Sequence, residues 1–215
     1  MKYPYLVYTP SDFCERDHLP MIVFLHGAGE RGNAPEVMKC HSIPMLFDGQ
    51  VDYRCVVVCP QCPDGRVWNT QVDQVKAFID CMAERYHVDR KKISLTGVSM
   101  GGYGCWELAM SYPDLFCALA PVCGDGMTWR AGLLKSLPVW AFHGAADDVV
   151  FPEGSIRMVE AINQSGGRAR LTLFPGVGHD SWTKAYAPET GLIPWLLSGG
   201  EIDVTARPCC NQAER

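Results

Sequence analysis

Three side chains in this sequence have the types, spacing and flanking residues that nucleophilic chemistry needs: Ser99, Asp147 and His179. Ser99 stands in Gly97-Val98-Ser99-Met100-Gly101-Gly102, after the apolar run Ile93 to Thr96 and before an expected helix from Tyr103 to Met110. A GxSxG stretch between a strand and a helix reads as a sharp turn that holds its serine out from the backbone. Such a turn strains the serine and requires glycine on both sides, because a Cβ there would strike neighbouring main chain. The serine then sits at a helix N-terminus, where free amides and the positive end of the dipole favour a developing negative charge.

Two further strand-like runs end in groups that can activate a hydroxyl. Val139 to Phe142 leads into His143-Gly144-Ala145-Ala146-Asp147-Asp148, and Leu171 to Phe174 leads into Pro175-Gly176-Val177-Gly178-His179. A carboxylate just past a strand end can orient an imidazole, and an imidazole on a glycine-rich loop can reach a serine. A third run, Pro20 to Leu25, leads into His26-Gly27-Ala28-Gly29. A glycine-rich turn leaving a strand can aim an amide at an oxyanion, with a second donor from the residue after the nucleophile. The amides of Ala28 and Met100 are the expected pair. The chain order Ser99, Asp147, His179 differs from the orders of the chymotrypsin and subtilisin types.

Over roughly residues 3 to 198 these segments resemble the α/β-hydrolases of the esterase branch. That branch includes phospholipase/carboxylesterases, dienelactone-hydrolase-like proteins and prolyl-oligopeptidase-like "predicted peptidases". The resemblance rests on Leu25-His26-Gly27-Ala28-Gly29-Glu30-Arg31-Gly32, Pro60-Gln61-Cys62-Pro63, the Ser99 segment, His143-Gly144-Ala145-Ala146-Asp147 and Gly178-His179. It implies Ser99 as nucleophile, His179 as base and Asp147 as orienting acid. Asp147 is preferred to Asp148 because the family places its acid three residues after the glycine of the His-Gly pair. The implied activity is hydrolysis of carboxylic esters through an acyl-enzyme, with feruloyl or acetylated-carbohydrate esters among the substrates. A serine peptidase and a non-catalytic binding protein on the same fold are the alternatives.

The elements that must position these groups alternate strand and helix, which implies a three-layer α/β sandwich around a mostly parallel sheet. Strands are expected at Tyr5 to Tyr8, Met21 to Leu25, Cys55 to Cys59, Ile93 to Thr96, Ala118 to Val122, Val139 to Phe142 and Leu171 to Phe174. Helical spacing marks Thr70 to Arg85 with Thr70 as N-cap, Glu153 to Gln164 before Gly166-Gly167, and Leu192 to Leu197. A length of 215 residues with 47% hydrophobic residues suits one domain over 1–198, followed by a polar tail over 199–215. Cys123 to Pro138 is too short for a large lid, so an open site is expected. Trp68, Trp129 and Trp182 are expected to rim it, since tryptophan faces suit sugar rings and phenolic acyl groups. Glu30 and Arg31 can either bind a substrate charge or pair with other residues to shape the oxyanion turn, and the structural role is preferred.

Composition narrows the partners. A formal net charge of -5 gives no electrostatic reason to bind nucleic acid or an anionic membrane, and no apolar run approaches the ~18 residues of a membrane span. The expected partner is a small-molecule or polymer-linked ester, and the expected location is cytoplasmic. Eleven cysteines, several in apolar runs, suit free thiols in a reducing compartment. Cys59 and Cys62 form a CxxC, but Cys209-Cys210 is a poor second pair for zinc, and His18, His41 and His87 are scattered singly, so no metal is expected. Gly27, Gly29 and Gly32 match GxGxxG after a strand, with Asp52 downstream. Asn33-Ala34-Pro35 interrupts the helix that a dinucleotide turn requires, and Asp52 precedes the next strand, so no cofactor is expected.

Overall fold

The computed structural model describes residues 3–14, 16–49 and 53–201. Seven strands form one sheet: β1 (Tyr5–Tyr8), β2 (Met21–Leu25), β3 (Val56–Pro60), β4 (Ile93–Val98), β5 (Ala118–Val122), β6 (Val139–Gly144) and β7 (Ala169–Phe174). Their spatial order is β1-β3-β2-β4-β5-β6-β7, with β1 antiparallel to β3 and every other pair parallel. Six helices accompany them: α1 (Ser42–Asp48), α2 (Val72–Arg85), α3 (Met100–Ser111), α4 (Glu153–Gln164), α5 (Trp182–Ala185) and α6 (Leu192–Leu197).

The five strands β2 to β6 are buried along their whole length, which is why they read as continuous apolar runs. Alternation divides each strand between two cores. Met21, Val23 and Leu25 of β2 pack with residues of α2, α3 and α4. Ile22 and Phe24 of the same strand pack on the opposite face with residues of α1, α5 and α6. The sheet is therefore covered on both sides, as a parallel sheet must be.

The chain leaves β2 for β3 on one side, then crosses back to lay β4 on the other. Strand order reverses at that point, and the crevice beyond the carboxyl ends of β2 and β4 is where α/β sheets hold ligands. Leu25 at the end of β2 pairs with Gly97 in β4, and Val98 pairs with Val122 of β5. This register brings the turn after β2 beside the turn that carries Ser99.

Several details differ from the sequence expectation. Helix α2 starts at Val72, and Thr70 belongs to a preceding 3-10 turn in which its hydroxyl donates to the carbonyl of Val67. Strands β4, β6 and β7 are longer than expected because parallel pairing extends into glycine or polar residues: Gly97, Gly144 and Ala169-Arg170 all sit in register with neighbours. The two short helices α1 and α5 have only seven and four residues, fewer than the roughly 11 over which helical periodicity becomes legible in a sequence. Between β5 and β6 lies only the 3-10 segment Thr128–Leu134, so no large lid covers the carboxyl edge. The Gly27 to Gly32 segment forms a 3-10 turn at Ala28–Glu30 instead of opening an α-helix. Asp52, Cys209 and Cys210 lie outside the described residues, as does most of the expected tail.

Candidate active site

Ser99 joins β4 to α3 with φ 54° and ψ -118°, a positive φ that costs a non-glycine residue on the order of 1–3 kcal/mol. Its neighbours explain how the turn persists. A Cβ on Gly97 would lie 2.6 Å from the carbonyl oxygen of Leu25, and one on Gly101 would overlap that same carbonyl. Only glycine lets α3 approach β2 this closely, and that approach fixes the serine above the sheet. The Ser99 amide donates to Val122 O at 3.0 Å, which ties the strained residue to β5.

The three sequence-selected side chains meet here. His179 Nε2 is 2.9 Å from Ser99 Oγ, and His179 Nδ1 is 2.8 Å from Asp147 Oδ2. A carboxylate only accepts, so Nδ1 carries the proton and the Nε2 lone pair faces the serine hydroxyl. Asp147 Oδ1 in turn accepts the amides of Val149 and Val150, each at 3.0 Å. Burial pushes the Asp147 carboxyl up, but the His179 bond and the two amides outweigh it and hold the group below the usual carboxylate range. Asp148, the adjacent acid, is exposed. The linkage can carry a proton from hydroxyl to imidazole while a fixed carboxylate stabilises the resulting cation.

A cavity of about 350 Å³ opens on Ser99. Ala28 and Met100 line it, the first at the start of the 3-10 turn after β2 and the second at the first position of α3. Amides at such positions have no partner within their own helix and are free to meet a ligand. Arg31, Val67, Asn69 and Tyr103 complete the wall. Arg31 Nε donates to Ala28 O at 3.0 Å and so braces the turn.

The tryptophans separate. Trp182 packs edge-on against His179, with ring centroids 5.4 Å apart. Trp68 needs a correction: it is 1% exposed, and its indole N–H donates to the His26 carbonyl at 2.9 Å, so it supports the turn after β2 from below instead of rimming the cavity. Trp129 is 79% exposed and is not among the residues that line the cavity.

Some supporting residues were not singled out from the sequence. His143, fully buried, lies 3.2 Å from Asp147 Oδ2 through Nε2 and donates from that nitrogen to Val150 O at 2.8 Å. Tyr103 stands four residues after Ser99, so one helical turn brings it to the same face; that spacing was the available signal. Beneath the turn after β2, His26 Nε2 accepts the Cys62 amide at 2.8 Å and Nδ1 donates to Gly27 O at 2.6 Å. Glu30 lies between His26 and His41, at 3.7 Å and 3.3 Å. Burial raises its carboxyl, yet the two imidazoles win and hold it well below the usual range.

Two groups of three donors lie within 4.8 Å of one another among the described residues: Glu30, Cys40 and His41, and Cys123, Asp147 and His179. In the second group, burial pushes the Cys123 thiol up to about 12, which disfavours the thiolate a metal or a nucleophilic role would need. The nine cysteines among the described residues are all free. No helix among those residues is long and apolar enough to cross a membrane.

The dienelactone hydrolase family model matches residues 43–189, a span that contains Ser99, Asp147 and His179. The chain belongs to the dienelactone hydrolase family. It is similar to the bifunctional acetylxylan esterase/xylanase XynS20E of Neocallimastix patriciarum, 27% identical over 149 residues, 67% of this chain and 21% of that protein. It is also similar to poly(3-hydroxyalkanoate) depolymerase C of Paucimonas lemoignei, 24% identical over 120 residues, 49% of this chain and 28% of that one. The chain thus spans between a fifth and a third of the length of these two curated relatives. Among solved structures, a thermostable esterase superposes with TM-score 0.78 at 31% identity, covering 92% of this chain and 59% of the other. A feruloyl esterase module from Clostridium thermocellum, complexed with sinapinate, shares the fold at TM-score 0.67 and 16% identity, covering 91% of this chain and 81% of that one.

Proposed function

We propose that this dienelactone hydrolase family member is a serine carboxylesterase working through an acyl-enzyme. The observation that carries the reading is the unbroken bond sequence from Asp147 Oδ2 through His179 to Ser99 Oγ, at 2.8 and 2.9 Å. His179 Nε2 takes the hydroxyl proton as Ser99 Oγ bonds to the ester carbonyl carbon. The carbonyl oxygen becomes an oxyanion held by the amides of Ala28 and Met100. Collapse of the intermediate breaks the ester C–O bond, and the imidazolium returns its proton to the departing alcohol. Water then repeats the steps on the acyl-enzyme and releases the acid.

The open cavity and the absence of a large lid favour esters attached to bulky or polymeric alcohols. The names of the relatives point the same way, so acetylated or feruloylated carbohydrate esters are the substrates we put first. The nine cysteines among the described residues, all free and five of them buried, support a reducing cytoplasmic setting. The test is a panel of p-nitrophenyl and carbohydrate-linked esters beside peptide anilides, run with the native protein and Ser99→Ala. Ester turnover that disappears in Ser99→Ala, without anilide cleavage, is the expected outcome. Efficient anilide cleavage would favour a peptidase instead, and unchanged ester turnover in Ser99→Ala would remove the assignment.

A further inference from the structure

In acyl transfer at Ser99 the departing oxygen must lie within reach of His179 Nε2, which returns the proton to it, and the oxyanion points toward the amides after β2 and at the start of α3. The acyl chain takes the remaining direction, away from His179. The cavity of about 350 Å³ lies on that side: Ser99, Ala28, Met100 and Tyr103 line it, whereas His179 does not. Its wall is shared. Asn69 and Tyr103 also line a second cavity, of about 190 Å³, together with Glu107, Asp125 and Met127. The two carboxylates of that second cavity differ in what they still offer. Glu107 Oε1 accepts from Arg130 and Ser111, and Oε2 is closed off from solvent. Asp125 Oδ1 accepts the Gly126 amide at 2.7 Å, but Oδ2 accepts no hydrogen bond from the described residues, and Arg157 Nη2 stands 3.8 Å from it. A Cβ on Gly154 would strike the Asp125 carboxyl, so glycine in the first turn of α4 is what lets this carboxylate sit where it does. Burial, and then the charges of Asp125 and Asp147, hold the Tyr103 phenol above its ordinary range, which keeps it protonated between the two cavities at neutral pH.

We propose that the second cavity receives the far end of the acyl group, and that Asp125 is a specificity-determining residue selecting acyl groups that end in a hydroxyl. This rests on the esterase reading of Ser99 given above. The terminal hydroxyl donates to Asp125 Oδ2, and a bond to an ionised acceptor is about twice as strong as one between neutral groups. The chain or ring between carbonyl and hydroxyl passes Tyr103, the residue common to both cavities. An acyl group of the same length that ends in a methyl displaces water from Oδ2 and gives that oxygen no donor in return. Hydroxyalkanoyl and hydroxyaryl groups both present the required chemistry, and the leaving alcohol, on the His179 side, makes no use of Asp125.

The experiment compares kcat/KM for matched pairs in the native protein, Asp125→Ala and Asp125→Asn. The alkyl arm pairs p-nitrophenyl 6-hydroxyhexanoate with p-nitrophenyl heptanoate, and the aryl arm pairs methyl 4-hydroxycinnamate with methyl cinnamate. A third pair, 2-hydroxyethyl acetate with propyl acetate, moves the hydroxyl to the alcohol half. The expected result is a fall of about tenfold in the hydroxyl-to-plain ratio for Asp125→Ala in at least one acyl arm, that arm identifying the kind of acyl group. Asp125→Asn should lower the same ratio by less, because a neutral partner replaces a charged one. It keeps the acceptor for the Gly126 amide, so it reads the same ratios should Asp125→Ala fail to fold, as judged by circular dichroism. The ratio of the third pair should not move in either variant. If Asp125 only holds its own loop, both members of each acyl pair fall together and the ratios stay put; that outcome overturns the proposal. A change confined to the third pair overturns it as well, since it would put the alcohol in the second cavity. A native protein that turns over none of these esters, nor p-nitrophenyl acetate, would instead overturn the esterase reading itself.

Discussion

Replacing Asp147 by asparagine removes one charge and leaves the shape almost unchanged, so its effect can be worked from the hydrogen bonds. Oδ1 receives two backbone amides at 3.0 Å, and that position must remain a carbonyl oxygen in the variant. The amide nitrogen therefore takes the place of Oδ2 and points its hydrogens at the His179 nitrogen 2.8 Å away. The imidazole can accept only by moving its own proton from Nδ1 to Nε2. Nε2 then faces Ser99 Oγ as a donor and has no lone pair with which to take the hydroxyl proton. A triad with the wrong tautomer loses about 10⁴ in kcat, which is about 5.5 kcal/mol of barrier at 1.36 kcal/mol per decade. Stopped-flow hydrolysis of p-nitrophenyl acetate reads the loss directly, and KM should change little because no contact with the ester is removed. Asp148→Asn, at an exposed position, should stay near native rates. A loss of less than tenfold in Asp147→Asn, or a greater loss in Asp148→Asn, would refute the reasoning.

Other perturbations test the supports. Thr96 Oγ1 donates to Ala120 O at 2.6 Å and accepts from the buried Tyr186 hydroxyl at 2.7 Å, so Thr96→Val strands that phenol; thermal unfolding should report a loss of about 1–3 kcal/mol, and an unchanged Tm would contradict the accounting. Gly101→Ala forces a Cβ into the Leu25 carbonyl and should either abolish turnover or prevent folding, read by activity and circular dichroism. Asp147 and Glu30 both titrate below their ordinary range in the folded chain, so each stabilises it at pH above the unfolded carboxylate value, and that contribution is lost as pH falls through the depressed folded values. Denaturant titrations across the acid range should therefore show stability falling at low pH, less steeply in Glu30→Gln; equal slopes would argue against the Glu30 shift. Trp129→Ala, at a position 79% exposed and outside the cavity lining, should leave both Tm and kcat/KM for small esters unchanged.

The parts of this fold that could be read from sequence are those where one local rule decides. Val56-Val57-Val58 is apolar without alternation because β3 is buried on both faces, and the GxSxG spacing is demanded by the contact between Gly101 and Leu25. The family's His-Gly spacing points to Asp147, the carboxylate that lies 2.8 Å from His179 Nδ1, and a serine, a carboxylate and a histidine each near the end of a strand are legible from type and order. What could not be read depends on contacts across the chain. Whether Trp68 faces a cavity or the core is set by the His26 carbonyl, 42 residues distant, and no local pattern encodes that bond. Thr70 looked like an N-cap because the 3-10 turn before α2 has the same residue preferences as a helix start. Arg31 combines both cases: its bond to Ala28 is local, whereas its exposure in the Ser99 cavity follows from how β2 and β4 lie side by side.

Activation of Ser99 as the nucleophile is measured most directly by covalent trapping. Intact-mass spectrometry after treatment with a fluorophosphonate should show a single adduct, mapping by digestion to the peptide that contains Ser99. The adduct should be absent in Ser99→Ala and form orders of magnitude more slowly in His179→Ala. Undiminished labelling of Ser99→Ala, or a native protein that stays unlabelled while folded, would contradict the account.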